Sequence, residues 1–163
     1  MDQSEPAIDA EQAEFVQSGV AINAGSCSAA RVPSVARAVG CRVAADHRRM
    51  TILVCAEQAA ALLADLRETG RIAVSFVEPS THRALQVKGG DVVIGTATPD
   101  DANLKTTLCE RFMAALRPLG YDADLVRTLM SGAPTLVAVD FAPQAVFSQT
   151  PGPRAGELLK AGA

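Results

Sequence analysis

The stretch VPSVARAVGCRVAADHRRMTILVC, Val32–Cys55, decides the fold. Val35, Val39, Cys41 and Val43 fall on one face at period two, while Ala36, Ala38 and Gly40 occupy the alternate positions. DHRR, Asp46–Arg49, reads as a tight polar turn, and MTILVC, Met50–Cys55, returns as a second apolar strand. Residues 32–55 are therefore expected to form an antiparallel hairpin with one bulky face and one nearly flat face. Small side chains let a planar ring or another backbone approach, and they equally leave room for one of the chain's own helices. By the same alternation Arg37 and Arg42 lie on opposite faces, and Arg37 is the candidate contact for a cofactor or substrate.

Outward from this hairpin, DAEQAEFVQSG (Asp9–Gly19) reads as a short helix with Asp9 as cap, Gln12 three residues on and Gly19 as stop. GVAINAG is a short strand. EQAAALLADLRETG (Glu57–Gly70) is a helix that aligns Leu62, Leu63 and Leu66, with Gly70 at its end. RIAVSFV is the next strand, and HRALQVKGGDVVIGTAT (His82–Thr98) a long one bent at Gly89 and Gly90. Thr98, Pro99 and Asp101 open a helix carrying Leu104, Leu108, Phe112 and Leu116, and YDADLVRTLMSG adds a further helical turn. PTLVAVDFAPQAVF (Pro134–Phe147) closes the series as a strand.

The early strands join through short turns, which rules against a doubly wound parallel sheet. The expectation is one mainly antiparallel α+β domain over residues 1–163, closed as a small barrel to protect its edges, with 1–8 loose and 148–163 an irregular tail.

Composition narrows the function. A net charge of −3, no Trp and one Tyr offer neither a basic field nor a stacking platform for nucleic acid. No apolar run reaches the roughly 18 residues of a membrane helix, and the acidic start MDQSEPAIDAEQ is unlike a secretory signal, so a cytoplasmic protein is expected. Cys27, Cys41, Cys55 and Cys109 form no C-x-x-C pair, and His47 and His82 complete no zinc signature, so reduced, mostly buried thiols are expected. No dinucleotide G-x-G-x-x-G, P-loop or nucleophile elbow is present.

The strand PSVARAVGCRV, its partner MTILVC, the Leu-rich helix, the junction VSFVEPSTHRALQVKG and the late QAVFSQTPGPRAG together resemble the pyridoxamine 5'-phosphate oxidase-like family of flavin-binding split barrels, over Phe15–Gly156. The resemblance implies a six-stranded antiparallel split β-barrel and a homodimer holding FMN in clefts between subunits. It also implies oxidoreductase chemistry on a small molecule, with NAD(P)H as a candidate reductant. Some members of the family bind heme or F420 instead, and a non-catalytic flavin or heme holder is the alternative. The basic substrate-phosphate site of the vitamin-B6-oxidising members has no counterpart placed in this chain.

With FMN in view, Ser80, Thr81 and Arg83 supply hydroxyls and a guanidinium fork suited to a dianionic phosphate. Alternation puts His82 and Gln86 on one strand face and Arg83 on the other, so all of them meet one ligand only if the junction at Pro79 is irregular. A solvated loop leading into a polar edge strand explains the same residues. Heme would rest on His82 as axial ligand. The resemblance adds backbone contacts from Val54 and Cys55 to the ring edge, for which burial in the barrel wall is the competing account, and lays the tail across the cleft with Gln149 and Arg154 as polar contacts.

Overall fold

The computed structural model describes residues 7–131 and 135–161. Among them α1 (Ala10–Val16) leads into three strands, β1 (Ala21–Cys27), β2 (Pro33–Val43) and β3 (Met50–Cys55). Then come α2 (Ala60–Thr69), β4 (Ile72–Val77), β5 (Ala84–Thr96), α3 (Pro99–Leu116), α4 (Ala123–Met130), β6 (Leu136–Ser148) and β7 (Leu158–Ala161). The sheet runs β3-β2-β1-β4-β5-β6, and pairing of β3 with β6 closes it as a six-stranded antiparallel barrel.

Two helix starts are built as the sequence predicts. Asp9 and Gln12 form a reciprocal capping box on α1, and Thr98 and Asp101 form another on α3, with Pro99 in its first turn. Gly70 ends α2 in the left-handed conformation. Gly19 does not end α1, whose cap is Gln17. A Cβ at Gly19 would lie 2.4 Å from that of Arg111, so this glycine is needed where α3 crosses the α1–β1 turn.

Interior positions alternate as a barrel requires. Ile22, Ala24, Ile52, Val54, Val74, Phe76, Val87 and Phe141 fill the inside, closed off by Leu62, Leu63 and Leu66 of α2 and by Ile8, Phe15 and Val16 around α1. Each large side chain buried here contributes roughly 1.5–3 kcal/mol. A second cluster lies outside the wall, where Val39, Leu53, Cys55 and Ala138 meet Phe112 of α3 and Val126 and Met130 of α4.

Four expectations are corrected. The hairpin of β2 and β3 forms, but its register slips between Ala38 and Gly40, so Val39 is a bulge. Ala36 and Ala38 face the barrel interior, and after the bulge Cys41 joins them there. The flat face thus packs against the protein's own core, and Arg37 and Arg42 both project outward. Ala7 and Ile8 are buried, so the loose start does not extend to them, while residues 1–6 lie outside the described ones. The tail is not irregular throughout: β7 pairs with Ala145–Phe147 on the edge of β6 beyond the stretch that β3 occupies. The predicted bend in β5 is present, with register shifts at Lys88/Gly89 and Gly90/Val93.

Candidate functional site

The barrel wall is covered unevenly. The helices α3 and α4 lie over β2, β3, the first half of β6 and Ala21 at the start of β1, whereas their cluster includes no described residue of β4, of the start of β5 or of the rest of β1. Register places a line of side chains across that open face. Asn23 on β1 is opposite Arg37 on β2 and Ser75 on β4; Ser75 is opposite Gln86 on β5, and Gln86 is opposite Phe147 on β6. Their chain neighbours Ile22, Ala24, Val74, Phe76, Leu85 and Val87 are buried inside, so all five point out.

These five residues are half-buried. From Arg37 to Gln86 the row crosses three strand gaps, about 14 Å at the usual spacing. Its internal bonds are weak. The Ser75 hydroxyl donates to the Asn23 carbonyl at 3.4 Å, Gln149 Nε2 donates to Gln86 Oε1 at 3.4 Å, and Arg37 Nη1 lies 3.8 Å from Met130 Sδ. The row beside it consists of Val35, Gly25, Ala73, Lys88 and Ala145, small or apolar except for Lys88. A flat floor lined by loosely engaged amide, hydroxyl and guanidinium groups suits a planar polar ligand.

The structure thus brings Arg37, Gln86 and Gln149 to one face. The rest of the predicted set lies elsewhere. Ser80, Thr81 and His82 are exposed in the β4–β5 turn, where His82 has a φ of +59°. Thr81 Oγ1 donates to the Glu78 carboxylate and accepts from the Arg83 backbone N–H at 3.1 Å. Arg83 turns toward α1, with Nη2 2.8 Å from Glu11 Oε1 and its guanidinium 4.5 Å above the Phe15 ring. Two carboxylates therefore engage the groups expected to hold a phosphate. Val54 is sealed in the barrel and Cys55 under the helices, in a strand paired on both sides, so burial in the wall accounts for both. Arg154 pairs with Glu157 within the loop that connects β6 to β7. Thr150 and Gln149 pin the start of that loop to Ala84, through bonds of 2.9 and 2.8 Å.

Asn23 and Ser75 were missed. Each is a lone polar residue in an apolar alternation, and that interruption of the outer face is the only signal the sequence carries.

The covered half is held by buried charge instead. Asp101 is 1% exposed and accepts from Arg42 Nε at 2.9 Å and from the Thr98 backbone N–H at 2.9 Å. Burial pushes its carboxyl upward, but the Thr98 hydrogen bonds and the Arg42 guanidinium outweigh this and hold it below the usual range. Arg42 thus serves α3. Arg49 joins Asp140 and Asp91 where β3, β5 and β6 meet, and Thr51 donates to Asp140 at 2.9 Å. Burial pushes the Cys41 thiol well above its ordinary value, so it is inert. Among the described residues no cluster of His, Cys, Asp and Glu is arranged to hold a metal, and no helix is long and apolar enough to cross a membrane.

No family model and no curated protein sequence matches the chain. Solved structures do. Group A Streptococcus HupZ aligns over 91% of this chain and 99% of its own with a TM-score of 0.54 at 14% identity. An F420 reductase aligns over 85% of this chain and 98% of its own with a TM-score of 0.50 at 16% identity. This is the pyridoxamine 5'-phosphate oxidase-like split-barrel fold. Another split barrel similar to this chain is a Clostridium acetobutylicum protein related to general stress protein 26, of the pyridoxinephosphate oxidase family. It covers 85% of this chain and 84% of its own, with a TM-score of 0.50 at 17% identity.

Proposed function

We propose that the chain binds FMN on the open outer wall and works as a flavin-dependent oxidoreductase on a small molecule. The observation that carries this reading is the in-register row Arg37, Asn23, Ser75 and Gln86, half-buried on a wall the chain leaves uncovered. A split barrel similar in fold is an F420 reductase, and another is assigned to the pyridoxinephosphate oxidase family.

The residues fit the group. Arg37 offers a guanidinium whose only described polar contact is a thioether, and it would take the phosphate charge. Asn23, Ser75 and Gln86 offer both donors and acceptors to a polar ring edge or ribityl chain. Gln149 steadies Gln86 from the β6–β7 loop. A bound flavin would supply the electron transfer, while these side chains orient it and exclude water from one of its faces.

A single wall is half a cleft. Val32 and Val35, 62% and 73% exposed beside the row, are suited to burial against a second copy, so the working unit in this reading is a homodimer. Titration of FMN into the purified protein, followed by flavin fluorescence, tests the proposal. Saturable quenching that is lost in Gln86→Leu supports it, and absence of quenching contradicts it. Bound FMN that neither NADH nor NADPH reduces would make the protein a flavin holder instead of an enzyme.

A further inference from the structure

One row from the polar line, the outer wall holds a groove of about 540 Å3. Its floor is made by Gly25, Pro33, Ala73 and Gly89, and two cations, Arg71 and Lys88, line it. A Cβ at Gly89 would come within 2.5 Å of both the Ala142 carbonyl oxygen and the Phe141 ring, so close packing against β6 requires the glycine.

None of the ion pairs among the described residues involves Arg71 or Lys88. The Lys88 ammonium instead rests 4.7 Å from the centre of the Phe147 ring, which steadies it without neutralising it. The carboxylates of α2 are bonded elsewhere, Asp65 to the Ser34 hydroxyl at 2.5 Å and Glu68 to the Ala29 backbone N–H at 3.0 Å, so each keeps its charge without pairing with Arg71 or Lys88. An apolar floor removes a hydrocarbon body from water, and two unpaired cations at its rim favour a ligand that carries negative charge.

We propose that this groove is a binding site for a small organic carboxylate with an apolar body of one or two rings. Its volume lies in the ordinary range of small-molecule sites. Arg71 takes the carboxylate through its planar fork, Lys88 adds a second positive charge, and the rings lie on Gly25 and Ala73. The site does not depend on the flavin reading, because none of the polar row belongs to it.

The test uses flavin-free, 15N-labelled full-length protein titrated with 2-naphthoate and, separately, with the uncharged 2-naphthalenemethanol. Naphthoate is expected to shift the amide signals of Gly25, Ala73 and Gly89 saturably, with the alcohol roughly tenfold weaker. Arg71→Gln and Lys88→Gln each weaken naphthoate several-fold and leave the alcohol unchanged. Equal affinity for both probes, naphthoate binding unaffected by either substitution, or no binding of either probe overturns the proposal. The last result counts whether the groove is empty or covered by a second copy. Because flavin is absent throughout, a failed FMN titration leaves this outcome untouched.

Discussion

The two halves of one barrel wall obey the same alternation and end differently. Where α3 and α4 cover the wall, the outward positions are Val39, Leu53, Cys55 and Ala138, all buried. Where the wall stays open, the outward positions are Asn23, Ser75 and Gln86, with Gly25 and Ala73 beside them. An ordinary solvent face would carry charged residues there, and Lys88 is the one example in these two rows on β1, β4 and β5. Half-buried amides and hydroxyls on a floor of small residues are instead what a surface carries when something else completes it.

The comparison breaks most visibly on the covered side. Phe112→Ala is expected to cost about 3–5 kcal/mol in chemical denaturation, since it empties the contact between α3 and the wall. The equivalent truncation on the open side, Ser75→Ala or Gln86→Ala, is expected to stay within about 0.5 kcal/mol. A large loss of stability at Ser75 or Gln86 would show that the open row serves folding. Gly89→Ala sits between the two, at about 1–3 kcal/mol, because neither Phe141 nor the Ala142 backbone can move away easily.

A smaller effect separates the halves by pH. The Asp101 carboxyl is held below the usual aspartate range, so its contribution is complete above about pH 4, the unfolded value. It is lost as pH falls through the lower value in the folded protein. Asp101→Asn is expected to lower stability by about 0.5–2 kcal/mol at neutral pH, and melting curves of the two proteins should converge in acid. A gap that persists at low pH would mean that packing of the residue matters and its charge does not. The smallest effect is kinetic: half-buried Cys27 and Cys109 should react with a thiol reagent in the native protein, and Cys41 and Cys55 only on unfolding.

Much of the helical framework was legible because its signals are local. Capping boxes, the Gly70 stop and the Leu stripe of α2 need only a few consecutive residues. The bulge at Val39 was not, because alternation counted along β2 assumes a constant register, and the slip depends on β3. That one residue moved Cys41 to the inner face with Ala36 and Ala38 and put Arg42 on the same face as Arg37. The capture of Arg83 by Glu11 joins residues 72 apart, which no local pattern reports. The strand β7 was hidden because the Pro and Gly of residues 151–156 describe the loop before it and say nothing of Leu158–Ala161. The open row was half legible: Arg37, Gln86 and Gln149 were expected as ligands, but Asn23 and Ser75 become part of a row only when four strands are aligned.

The most direct measurement is FMN binding by wild type and by Gln86→Leu and Ser75→Val, read by flavin fluorescence beside denaturation curves of the same samples. Saturable binding by wild type, weakened roughly tenfold or more in either variant with stability preserved, is the predicted result. Wild-type binding that both variants retain, or a stable protein that takes up no FMN, would contradict the assignment of the open wall as a flavin site.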